Sequence, residues 1–196
     1  MSQNDSKKIA CLFPGIGYTC DKPLLYYSEK LLRALNWDII RVQYHNLPEK
    51  VRGDQEKMKT SINLTWEQTK EKLQEIDWSS YSRILFISKS IGTINAVAYS
   101  HGNQLVCQHI LFTPLDETFS FPIPEGIAFH GTADPWADTA RLTNLARQKN
   151  VPLNIIEGAN HSLETGDVLL DIRNLANVMQ QVKAFIVNGI PEETSD

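Results

Sequence analysis

The sequence predicts an α/β fold: a mainly parallel sheet of about six strands with helices on both faces. Two observations predict it. Short apolar, β-prone runs alternate with segments whose apolar residues recur at helical spacing, the pattern of parallel strands joined by crossover helices. In addition, Ser90, Asp134 and His161 each follow directly on one of those runs. A parallel sheet would deliver all three to the edge at its strand C-termini, where such sheets bind ligands.

The first run, Ile9-Ala-Cys-Leu-Phe13, reads as a buried strand stopped by Pro14-Gly15-Ile16-Gly17. Asp21 is the expected N-cap of a helix with Pro23 in its first turn, where a missing N–H costs little. Leu24, Tyr27, Leu31 and Leu35 follow at helical spacing. The second strand is expected over residues 37–44, broken by His45-Asn-Leu-Pro48. In the long polar stretch after it, Met58, Ile62, Trp66, Leu73 and Ile76 suit a helix packed on one face, with the polar face of residues 50–75 turned to solvent. Residues 83–88 form the third strand and run straight into helix-compatible sequence. A fourth strand is expected over 105–112 and a fifth over 126–130, joined by a Pro-rich connection through Pro124. A helix over 137–148 leads to a sixth strand over 151–156. The last helix is the clearest: Val168, Ile172, Leu175, Met179, Val182 and Ile186 alternate steps of four and three.

The 196 residues suit a single domain, 1–196, with an ordered core over 7–190 and frayed ends before Lys7 and after Pro191. A net charge of −4 with scattered basic residues gives no footprint for nucleic acid or an anionic membrane. The N-terminus lacks the apolar core of a signal peptide, and no stretch is long enough to span a bilayer. Cys11, Cys20 and Cys107 are odd in number and lack metal-ligand spacing, so they read as reduced thiols of a cytoplasmic protein. Cys11 and Cys107 lie in apolar strands and are expected in the core, whereas Cys20 is the most open to oxidation.

The chemistry gathers at Ser88-Lys-Ser90-Ile-Gly92. A sharp strand-to-helix turn there would hold the Ser90 hydroxyl out at the end of a buried strand, and needs small residues two places to either side. Lys89 is expected to point from that turn into solvent or a local ion pair. A serine hydroxyl is a poor nucleophile at neutral pH without a base, and histidine, with an ordinary pKa of about 6.5, can take and return its proton. A buried carboxylate would fix the tautomer of that histidine. His161 is favoured as base over His130, and Asp134 as acid over Asp116.

With these residues the chain resembles the α/β-hydrolase family from Ile9 to Ile186: Ser88-Lys-Ser90-Ile-Gly92 as nucleophile elbow, His130-Gly131-Thr-Ala-Asp134 as acid loop, Gly158-Ala-Asn-His161 as histidine loop. The resemblance implies Ser90 as nucleophile, His161 as base and Asp134 as orienting acid. It implies an oxyanion hole from the N–H of Ile91 and a second N–H in the loop after the first strand, Ile16 before Gly17. That loop reads Pro14-Gly15 where the family often has His-Gly. The implied activity is a small, capless serine hydrolase acting on an ester, thioester or amide, with no metal or organic cofactor. Its partner would be a small acyl substrate; oligomeric state is open. Tyr18, His45 and Trp136 are expected near the same sheet edge as pocket walls. Two rivals stand beside this reading: carbon–carbon or acyl-transfer chemistry on the same residues, and a binding protein that uses the pocket without turnover.

Overall fold

The computed structural model describes residues 7–188, so the expected loose ends, residues 1–6 and those beyond Pro191, lie outside the described residues. Six strands form one wholly parallel sheet: β1 (Lys8–Phe13), β2 (Asp38–Arg41), β3 (Arg83–Lys89), β4 (Gln108–Phe112), β5 (Glu125–Gly131) and β6 (Leu153–Ile156). Their spatial order is β2-β1-β3-β4-β5-β6. The helices are α1 (Pro23–Ala34), α2 (Gln55–Leu73), α3 (Ile91–Gly102), α4 (Thr139–Gln148) and α5 (Val168–Asn188). No helix among the described residues is long and apolar enough to cross a membrane.

Alternation along each strand sorts side chains to the two faces. Leu12, Leu85, Ile87 and Phe129 pack with Leu25 and Leu32 of α1 and Val182 and Phe185 of α5. Cys11, Phe13 and Phe86 meet Leu73 of α2 and Tyr99 of α3 on the opposite face. Leu111 and Ala128 meet Leu142 and Ala146 of α4 beside them. Buried on both sides, β1 and β3 are nearly continuous apolar runs, which made them easy to recognise in sequence.

Several expectations change. Asp21 does not cap α1: Lys22 occupies that position without a side-chain bond, while Asp21 ion-pairs with Arg41 at 2.8 Å. The buried face of α1 carries Leu24, Leu25, Ser28 and Leu32, and Tyr27 turns outward. On α2 the fully buried stripe is Ser61, Thr65, Thr69 and Leu73, with Met58, Ile62 and Trp66 only partly covered. The Ser61 and Thr65 hydroxyls donate to the carbonyls of Lys57 and Ser61, both at 2.8 Å, so neither is left without a partner in the interior. On α5 only the C-terminal half is buried, at Val178, Val182, Phe185 and Ile186; Val168 and Ile172 of the same stripe are exposed. Cys20 is buried rather than open, its thiol pushed up to about 12 by burial, so it is the opposite of an oxidation-prone cysteine.

Candidate active site

β3 ends at Lys89 and α3 begins at Ile91, leaving Ser90 alone to turn the chain. Its φ of 55° and ψ of −125° are strained for a residue with a side chain. The strain is held by the Ser90 N–H donating to the Phe112 carbonyl at 3.0 Å and by the Thr93 N–H and hydroxyl donating to the Ser90 carbonyl at 2.8 and 2.6 Å. Gly92 explains the spacing. A Cβ there would strike the carbonyl oxygen of Pro14 and lie 2.5 Å from that of Phe13, so only glycine lets α3 start this close to the end of β1.

The acid and histidine loops meet through another glycine. A Cβ on Gly131, the last residue of β5, would strike the Ala159 carbonyl oxygen and lie 2.6 Å from its carbon. This close approach brings Asp134 and His161 together across the ends of β5 and β6. The His161 Nδ1 lies 2.7 Å from Asp134 Oδ2, and Nε2 lies 2.8 Å from Ser90 Oγ. A carboxylate can only accept, so Nδ1–H donates to Asp134 and Nε2 is left to accept from the Ser90 hydroxyl. The other oxygen of Asp134 accepts from the Trp136 N–H at 2.9 Å. Asp116 is turned elsewhere, ion-paired with Arg141 at 2.5 Å. His130 is buried behind the acid, its Nδ1 3.8 Å from Asp134 Oδ2 and its Nε2 3.0 Å from the Thr139 hydroxyl.

Burial opposes ionisation of Asp134, but the hydrogen bond and charge of His161, the Trp136 N–H and the charge of His130 outweigh it and hold the carboxyl below its ordinary range. His161 also titrates below its ordinary value. Burial is the main cause, aided by the nearby charges of Lys89 and His130 and opposed by Asp134. The imidazole is therefore neutral, and able to accept a proton, at neutral pH.

Residues 15–18 form a tight turn in which Gly15 and Tyr18 exchange backbone bonds of 3.0 and 3.3 Å. Ile16 and Gly17 sit at its tip, and both line the cleft beside Ser90 together with Ile91. The cleft measures about 510 Å³ and is also lined by Trp136, Met58 and the loop around Val51 and Arg52. Of the three expected pocket walls, only Trp136 takes that place, its ring 5.5 Å from that of His161. Tyr18 lies behind the turn, its hydroxyl accepting from the Leu24 N–H at 3.1 Å. His45 lines a neighbouring cavity and is tied through its backbone to Gln68. The loop residues and Met58 had no signal in sequence beyond an apolar residue early in a polar helix.

Lys89 is the main departure. Its side chain is 1% exposed instead of solvated, with its ammonium 5.0 Å from the centroid of the Tyr18 ring. Burial pushes its pKa down to about 7 against the pull of Asp134. Strand parity held the missed signal: residue 89 falls on the face of Leu85 and Ile87, both buried against α1 and α5.

No protein-family model matches the chain, and no curated protein matches it in sequence. Solved structures do. An α/β serine hydrolase homologue from Coxiella burnetii is 16% identical with a TM-score of 0.64, over 91% of this chain and 84% of that one. Alpha/beta hydrolase domain-containing protein 10 from mouse is 11% identical with a TM-score of 0.66, over 93% and 91%. A lidless member of the α/β serine hydrolases from Xanthomonas campestris is 11% identical with a TM-score of 0.59, over 97% and 88%. Likenesses at so low an identity establish the architecture.

Proposed function

We propose that this chain, which has the α/β-hydrolase fold, hydrolyses a small ester, thioester or amide through an acyl-Ser90 intermediate. The observation that carries the reading is the unbroken hydrogen-bond chain from Asp134 through His161 to Ser90, at 2.7 and 2.8 Å. In the first half-reaction His161 Nε2 takes the Ser90 proton as Oγ attacks the substrate carbonyl carbon. The resulting oxyanion faces the Ile91 N–H and the N–H of Ile16 or Gly17. His161 then returns the proton to the leaving group as its bond to carbon breaks. In the second half-reaction a water gives its proton to His161 Nε2 as its oxygen attacks the acyl carbon, and His161 returns that proton to Ser90 Oγ as the acyl–oxygen bond breaks, releasing the acid and restoring the serine hydroxyl. Asp134 keeps the imidazole in the required tautomer and stabilises its charged form. The apolar surface of Ile16, Met58 and Trp136 suits a short acyl or aryl group.

The test is covalent labelling with a fluorophosphonate probe, read by intact mass on wild type and Ser90→Ala. One adduct on the wild type and none on the mutant is the expected result. An unlabelled, folded wild type would overturn the reading in favour of a binding protein. A second expectation concerns pH. Because the folded pKa of His161 is lowered, its proton-accepting form persists to lower pH, so kcat/KM should hold through about pH 6.5, the ordinary histidine value, and fall only on its acid side. A pH profile with a neutral ester checks it.

A further inference from the structure

We propose that His130 is a positioning residue for the Ser90–His161–Asp134 chain: its ring, fixed by Thr139, holds an Nδ1–H toward the Asp134 oxygen that serves His161. The inference rests on the reading of those three residues given above.

The geometry sets the tautomer. The side chains of His130 and Asp134 are both wholly buried, with Nδ1 3.8 Å from Oδ2. The same Oδ2 accepts from His161 Nδ1–H at 2.7 Å, so one oxygen stands between two imidazoles. On the far side of the ring, His130 Nε2 lies 3.0 Å from the hydroxyl of Thr139, the first residue of α4. Burial lowers the pKa of His130, so the ring is neutral at neutral pH and carries a single N–H. A hydroxyl can donate or accept, so Thr139 serves Nε2 in either tautomer. The carboxylate decides between them. A proton on Nε2 would turn the Nδ1 lone pair toward Oδ2, and in a dry interior that repulsion is weakly screened. A proton on Nδ1 turns an N–H dipole toward Oδ2 instead. Nδ1 has no hydrogen-bond partner among the described residues, so no other acceptor competes for that proton.

The placement of the two residues gives the ring its use. Asp134 stands on a loop, and its N–H and its other carboxylate oxygen bond only within that loop and its hinge, to the Gly131 carbonyl at 3.0 Å and the Trp136 N–H at 2.9 Å. His130 belongs to the sheet, where β5 pairs it with Ile155 of β6, and it is tied by Thr139 to α4. Its N–H therefore faces the carboxylate from the rigid part of the molecule. When His161 takes the Ser90 proton, Asp134 has to stay ionised and in line with Nδ1. A donor behind Oδ2 favours both.

Asparagine and glutamine separate the two ring nitrogens. The amide of His130→Asn reaches only as far as Nδ1 and gives up Thr139, whereas that of His130→Gln reaches Thr139 and leaves nothing facing Asp134. His130→Gln should lower the rate of fluorophosphonate labelling by roughly tenfold or more, and His130→Asn should stay within a few-fold of wild type. The His161 Nδ1–H proton, read by NMR in the same samples, should persist in His130→Asn and broaden in His130→Gln. Packing alone predicts the reverse order, because glutamine fills more of the ring's volume and keeps the Thr139 bond. Glutamine equal to or better than asparagine, with both variants folded by circular dichroism, would overturn the proposal. NMR of the His130 ring nitrogens in the wild type needs neither a variant nor turnover: a protonated Nδ1 is expected, and a protonated Nε2 would overturn the proposal outright. An unlabelled wild type with a protonated His130 Nδ1 would count against the hydrolase reading and not against the coupling of His130 to Asp134.

Discussion

Replacing His161 by alanine is expected to lower kcat/KM by roughly 10⁴- to 10⁶-fold while the protein stays folded. The loss is large because nothing else described at the site can take the Ser90 proton. His130 is engaged with Thr139 and sits behind Asp134, and Lys89 is directed at Tyr18. The fold should survive because the His161 ring is partly exposed, at 19%, and its two hydrogen-bond partners belong to the same cluster. Asp134→Asn tests the orientation separately. An amide can donate as well as accept, so it permits the tautomer that turns an N–H toward Ser90, and a loss of about 10²- to 10⁴-fold in kcat is expected. Asp116→Asn should leave kcat within a few-fold of wild type, since its partner is Arg141. Steady-state kinetics on the three variants, beside circular dichroism to check folding, would decide it. A crippled Asp116→Asn with a silent Asp134→Asn would reverse the assignment of the acid.

The second large effect is on stability. Gly92→Ala should destabilise the protein by roughly 3 kcal/mol, at the upper end for overpacking, because the added methyl meets two backbone carbonyls rather than side chains that can rotate away. Relief requires α3 to move away from the end of β1, and that movement would carry Ile91 and Ser90 away from the Gly15–Tyr18 turn. Activity should therefore fall further than the folded fraction alone accounts for. Gly102→Ala is the control. It lies at the other end of the same helix with open space around a Cβ, so it should be neutral or slightly stabilising. Urea unfolding of the two variants measures the difference, and equal midpoints would contradict the steric account.

Much of this protein was legible in one dimension. Strand and turn signals are local: six apolar runs punctuated by glycine, proline and polar residues mark six strands to within a few residues, and the alternation with helical segments implies a parallel sheet. Placing Ser90, Asp134 and His161 at one edge needed only that topology, because parallel strands all end on the same side. The choice between Asp134 and Asp116 lay beyond it. Both follow a strand, and only the close approach of Gly131 to Ala159 carries one of them to His161.

The rest depended on what packs against what. The buried Ser61, Thr65 and Thr69 of α2 look like a solvated face in sequence. They are interior because Tyr44 and α3 lie against that side, the Tyr44 and Thr69 hydroxyls 3.0 Å apart. The stripe of α5 is uniform in sequence, yet Val168 and Ile172 in its first turns stay exposed while its C-terminal half is covered. Lys89 shows the difference most sharply. Its residue type says surface, while its strand parity says interior. Sequence by itself determined the strands, their order along the chain and the chemical groups at their ends, because these follow from local pattern and connection. Tertiary structure alone decided which polar groups are buried, since burial depends on the element that arrives on the other side: here the turn and the Tyr18 ring that cover Lys89 and make a charged side chain part of the interior behind Ser90.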